Sequence, residues 1–132
     1  MQGFFPQLPE QSVNQLNMLA LAHVGDAVYE LLIRSKLCCD GPNAVMKLHR
    51  QTVEMVRAEA QAQAAERILP LLSEDELALY KRGRNAKVHS VPHHANVAQY
   101  HAATGLEALF GWLYLQGKTE RINELFSHIT EE

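Results

Sequence analysis

Apolar residues along this chain recur at three- and four-residue spacing rather than in alternation, so the pattern predicts helices almost throughout and no strand. Two segments dominate. Residues 16–37, LNMLALAHVGDAVYELLIRSKL, hold Asp26 as the only charged residue between Glu10 and Glu30. Residues 102–115, AATGLEALFGWLYL, hold Glu107 as the only charged residue between Lys87 and Lys118. Residues 1–14, with two of the five prolines and no clear period, read as an irregular N-terminal arm, and residues 15–132 as one folded domain. One long helix, or two joined near Gly25, is expected over 15–38, with a break at Asp40, Gly41 and Pro42. Val45, Leu48, Val53, Val56, Ala60, Ala64, Ile68 and Leu72 then mark a short helix followed by a long one. Ser73 with Glu76 three residues on is a capping-box pattern, opening a helix that fades at Gly83. Residues 84–96 hold no period and contain Pro92, which predicts a long exposed loop. Asn96 is placed to cap the Glu107 helix and Gly117 to end it. Thr119 starts a last amphipathic helix through Ile122, Leu125, Phe126 and Ile129.

A solitary carboxylate on an apolar face needs a partner, because burying an unpaired charge costs several kcal/mol. If the two segments pack together, Asp26 and Glu107 converge, and a divalent cation with oxygen ligands, magnesium above all, holds both ionised. Gly25 and Ala27 beside the first acid, and Gly105, Ala108 and Gly111 beside the second, let helix backbones approach closely. The other reading of each acid stays open: a cap, a bridge to an arginine, or a group facing solvent. Glu30 is one turn past Asp26 and either joins the pair or bonds Arg34 at the next i+4 position.

A second feature is the run Lys81, Arg82, Gly83, Arg84, Asn85, Ala86, Lys87, with His89, His93 and His94 beyond it. Four fixed positive charges fall in seven residues of a chain whose formal net charge is -3. Such clustering with Gly and Asn donors suits contact with a phosphate backbone; the plainer account is a solvated helix end whose cations complement the helix dipole. The histidines lack zinc-ligand spacing. Lys47, His49 and Arg50, with Arg57 and Arg67, either extend the basic surface or form the solvated side of a helix, the latter favoured for Arg57 and Arg67.

At 132 residues, 47% hydrophobic and 20% charged, the composition fits a globular domain with a single core. Asp26 and Glu107 interrupt the longest apolar runs, no signal-peptide pattern opens the chain, and Cys38 and Cys39 are adjacent, so a cytoplasmic, reduced protein with no membrane contact is expected.

HVGDAVYE resembles the ribonuclease III catalytic-domain signature, in which a helix carries Gly-Asp-Ala, and LEALFGWLYL resembles that family's later helix. Together with KRGRNAK and YHAATGLEALFGWLYLQGK, the pattern from about residue 16 to 126 is similar to the Mini-ribonuclease III group. The resemblance implies a compact all-α, magnesium-dependent endoribonuclease domain. It also implies a homodimer acting on double-stranded RNA without an accessory RNA-binding domain, and a role in maturing large-subunit (23S) ribosomal RNA precursors. Asp26 and Glu107 match catalytic, metal-binding positions of the family, and Arg82, Arg84, Asn85 and Lys87 are the expected RNA-positioning loop. Leu19, Ala22 and Thr104 stand where ribonuclease III carries further acids. Fewer carboxylates leave more ligand positions to water or RNA phosphate oxygens. The start of the Asp26 helix is the candidate two-fold face. The alternative is a non-catalytic helical RNA-binding module.

Overall fold

The computed structural model describes residues 3–41, 44–88, 90–91 and 96–131. Among these residues there are α-helices and no strand: α1 Glu10–Asn14, α2 Met18–Asp40, α3 Val45–Val56, α4 Ala58–Ile68, α5 Glu74–Arg84, α6 Val97–Leu115 and α7 Thr119–Thr130, with a 3-10 turn at Leu69–Leu71. The all-α expectation is met. The break at Pro42 and the residues His89, Pro92, His93 and His94 lie outside the described residues.

Helix α6 is the central post. Its buried residues, Ala103 to Leu106, Ala108 to Leu113 and Leu115, go round the whole helix, as a helix surrounded by others requires. Helices α2, α4, α5 and α7 pack on it. Leu21, Ile33, Ile68, Leu106, Leu109, Phe110, Leu113 and Leu125 are the fully enclosed large side chains.

Local chemistry sets the helix ends. Asn17 caps α2, its Oδ1 accepting from the Leu19 N–H at 2.7 Å, and Asn96 caps α6 through the Gln99 N–H at 3.0 Å. Ser73 and Glu76 form the reciprocal capping box on α5, at 2.9 and 3.2 Å. After α6 the Lys118 N–H bonds the Leu113 carbonyl at 3.0 Å and the Gly117 N–H bonds Tyr114 at 2.9 Å, with Gly117 at φ 77°. That paired arrangement stops the helix and turns the chain into α7.

Three sequence expectations are corrected. The short-then-long pair over 44–72 is two helices of similar length, 12 and 11 residues, broken at Arg57, whose ψ of 158° is extended, and closed at Pro70, which has no N–H to continue α4. The segment before residue 15 contains a helical turn, α1, fixed by the fully buried Val13 and by Trp112 Nε1 donating to Asn14 Oδ1 at 2.7 Å. The loop after α5 begins at Asn85, one residue later than predicted, because Arg84 still belongs to the helix.

Candidate active site

The helices α2 and α6 touch backbone to backbone. A Cβ on Gly25 would sit 1.6 Å from the Glu107 carbonyl oxygen, and one on Gly111 would sit 2.0 Å from the Leu21 carbonyl oxygen. Only hydrogen fits at either place. Because Asp26 follows Gly25 and Glu107 owns the carbonyl that covers it, the crossing brings the two acids together, with their carboxyl groups within hydrogen-bonding reach.

The two acids stand in different surroundings. Asp26 is exposed, at the edge of the α2 face on which Ala22, Gly25 and Tyr29 are buried. Glu107 is the desolvated member. Burial, and then the neighbouring Asp26 charge, push its carboxyl up to about 8, while donation from Gln61 pulls the other way. Glu107 therefore tends to keep its proton near neutral pH unless a cation is bound beside it. Tyr29, 2% exposed, lies close enough to Glu107 to feel its charge; its hydroxyl is pushed up to about 12 by burial and then by Glu107, so it stays protonated. Its ring meets Phe110 and Phe126 edge-on, at 5.4 and 6.2 Å between centroids.

No third acid joins from the positions that are acidic in ribonuclease III. Ala22 is buried, and the Thr104 hydroxyl turns back to donate to the Tyr100 carbonyl at 3.1 Å. Among the described residues no group of three or more His, Cys, Asp or Glu side chains comes together. Two facing carboxylates, one open to solvent, fit a hard cation that completes its shell with water or with oxygens of a bound substrate. Glu30 pairs with Arg34 at 2.8 Å, the exposed i+4 bridge.

The basic cluster lies on the other side of α6. Lys81, Arg82 and Arg84 occupy the last turn of α5 and Asn85 caps it, so part of the expected loop is helix. Arg84 Nε bonds Asn85 Oδ1 at 3.3 Å, and its guanidinium lies 5.9 Å from the centre of the Tyr80 ring. Gly83 presses this turn against α6, since a Cβ there would lie 2.7 Å from the Ala108 Cβ, next in sequence to Glu107. Arg82, Asn85 and Lys87 line an open groove of about 520 Å³ whose other wall is Asn17, Met18 and Leu19 at the start of α2. On α3, Lys47, His49 and Arg50 are exposed. Arg57 lies within 3.4 Å of Glu54 and 3.6 Å of Glu59. Arg67 is on the exposed side of α4, as expected, and also donates to the Ile129 and Glu131 carbonyls at 2.6 and 2.9 Å, tying α4 to the end of α7.

One residue of the site escaped the sequence. Gln61, 2% exposed on α4, donates from Nε2 to Glu107 Oε2 at 3.3 Å and to the Val56 carbonyl at 2.8 Å. An uncharged residue in an Ala/Gln/Glu-rich helix carries no mark of chemistry. The available signal was its register, one turn before Ala64 and Ala65 and two before Ile68, a polar side chain on the apolar stripe.

The ribonuclease III domain family matches residues 19–118. The chain is 44% identical over 138 residues to a Mini-ribonuclease 3 of Thermoanaerobacter sp. (strain X514), covering 100% of this chain and 97% of that protein. It is 46% identical over 115 residues to the Mini-ribonuclease 3 of Enterococcus faecalis, covering 86% and 87% of the two chains. A crystal structure of a Fusobacterium nucleatum protein superposes with a TM-score of 0.78 at 32% identity, covering 88% of this chain and 93% of that one. With a helical fold of this kind, a match over most of its length and relatives this similar, the chain belongs to the ribonuclease III family, within its Mini-ribonuclease III group, and is an endoribonuclease of that class.

Proposed function

We propose that this endoribonuclease cuts double-stranded RNA with magnesium held by Asp26 and Glu107, and that it acts as a homodimer in maturation of the large-subunit (23S) ribosomal RNA precursor. The observation that carries the proposal is the convergence of two otherwise solitary carboxyl groups where α2 and α6 cross. A bound divalent cation would supply Lewis acidity, activating water and neutralising charge that builds on the scissile phosphate. The chain's own groups do the rest. Glu107, fixed on the buried helix, gives the rigid side of the cradle, and Asp26, exposed at the rim, leaves room for the phosphate to enter. Arg82, Arg84, Asn85 and Lys87 supply sequence-independent backbone contacts, which suit a duplex recognised by its A-form shape. The choice of ribosomal RNA precursor as substrate rests on the family resemblance.

Support for a homodimer comes from an apolar groove of about 650 Å³ lined by Phe4, Phe5, Val24, Val28, Leu31 and Ile122, in which Phe4, Phe5 and Leu31 are exposed. It runs along the middle of α2 rather than its start. His23 and Ala27, which flank Asp26 by three residues and one, also line it, so a two-fold contact there sets two sites side by side along one duplex.

The test separates chemistry from binding. With a duplex RNA and magnesium, Asp26→Asn is expected to lower cleavage by a hundredfold or more, on the order of the loss of a charge-stabilising group, while RNA binding persists. Arg84→Ala with Lys87→Ala is expected to weaken binding and make its salt dependence shallower. Full cleavage by Asp26→Asn would remove the metal-site assignment, and an unchanged salt slope would remove the basic turn from the interface.

A further inference from the structure

We propose that Gln61 is a positioning residue for Glu107, holding its carboxylate in the orientation that receives the cation; this rests on the metal role of Glu107 put forward above. The side chain is almost wholly enclosed, and its single nitrogen uses both hydrogens, one for Glu107 Oε2 at 3.3 Å and one for the Val56 carbonyl at 2.8 Å. The second acceptor explains why an amide is needed. Val56 ends α3, where the last carbonyls of a helix have no partner within it, and the backbone N–H of Gln61 is already committed to the Arg57 carbonyl at 3.0 Å. One group thus satisfies the end of α3 and fixes the acid on α6, which makes the corner between α3 and α4 the rigid support behind the site. A carboxylate at position 61 has no proton to give either acceptor, and a hydroxyl has one.

The other half of the amide strengthens the case. Gln61 Oε1 is buried with no hydrogen-bond partner among the described residues. An apolar side chain of the same length would fill this space without burying an unpaired Oε1, so packing alone does not account for an amide here. What the amide adds is the pair of N–H bonds, one of them to Glu107. Partners that stand behind a metal-binding carboxylate commonly govern metal affinity by tenfold or more, because they set ligand orientation before the ion arrives.

The test replaces Gln61 by Met, which keeps length and removes both donors, with Gln61→Leu as a second apolar variant. Manganese binding to the RNA-free protein is followed by calorimetry, thermal melting reports the fold, and kcat and KM are measured on a duplex RNA. A folded Gln61→Met is expected to bind manganese about tenfold more weakly and to lose kcat by a similar factor, with KM for RNA unchanged. Manganese affinity and kcat both within twofold of the parent protein would overturn the proposal. So would loss of folding in both variants, which would make Gln61 a packing residue of the α3–α4 corner. Asp26→Asn in the same calorimeter keeps the two ideas apart. If it binds manganese as the parent does, the metal site itself is wrong; if it alone loses binding, only the role of Gln61 falls.

Discussion

Gly111 shows how single positions set the geometry on which the site depends. Its missing side chain leaves room for the Leu21 carbonyl, 2.0 Å from where a Cβ would be, and the opposite contact at Gly25 is tighter still. The atoms in the way are backbone, which cannot rotate aside. Gly111→Ala is therefore expected to destabilise the protein by about 3 kcal/mol or more, at or beyond the upper end for overpacking. Chemical denaturation checks this, and a loss below about 1 kcal/mol would mean that the helices slide apart easily. In a variant that still folds, separation of α2 from α6 also parts Asp26 from Glu107, so cleavage should fall further than stability alone explains. The same two acids were visible in sequence because each is the only charge in a long apolar run. Gln61 was not, because hydrogen bonding to a distant helix leaves no trace in local composition.

Helices α5 and α7 are joined through Glu76, and here the capping motif performs two functions. Glu76 Oε1 accepts from the Ser73 N–H within the capping box, while Arg121 grips both carboxylate oxygens, at 2.8 and 2.7 Å, and bonds the Leu71 carbonyl at 2.8 Å. A further bridge runs from Arg121 to Glu124. Arg121 is the main reason the Glu76 carboxyl lies below its ordinary range, against the opposing effect of burial. A depressed carboxyl contributes stability that is present above its unfolded value, near pH 4 to 5, and lost as pH falls through the lower folded value. Melting temperature is thus expected to drop on acidification below about pH 4.5, and Arg121→Met should flatten that drop while lowering stability at pH 7 by about 2 kcal/mol. Equal acid sensitivity in the two proteins would show that other carboxylates dominate. The capping box could be read from Ser73 and Glu76 alone; the arginine 45 residues away that completes it could not.

The assembled domain places acidic and basic chemistry on opposite shoulders of one buried helix. Glu107 faces α2 and α4, and the next residue, Ala108, receives α5 at Gly83, so the carboxyl pair and the basic turn share α6 as a common frame. Among the described residues no helix is long and apolar enough to cross a membrane, and the α2 groove leaves Phe4, Phe5 and Leu31 uncovered. Leu31 is 55% exposed, so Leu31→Glu costs the single chain little. Sedimentation is expected to show a dimer for the parent and a monomer for Leu31→Glu, with helix content retained. An unchanged mass would move the contact elsewhere.

The longer helices, the Ser73 and Asn96 caps, the Gly117 stop and the two solitary acids were legible in the order of residues, because they arise from interactions within a few positions of the chain. The family signature in HVGDAVYE was legible for a related reason: the close crossing demands glycine beside the acid. Which carboxyl would be desolvated, that Arg84 ends a helix instead of opening a loop, that Arg67 secures the end of α7, and that Gln61 stands behind Glu107 depended on contacts between segments far apart in sequence. Burial and hydrogen bonding across helices are properties of the packed arrangement, and helical periodicity alone does not fix how one helix rotates against another.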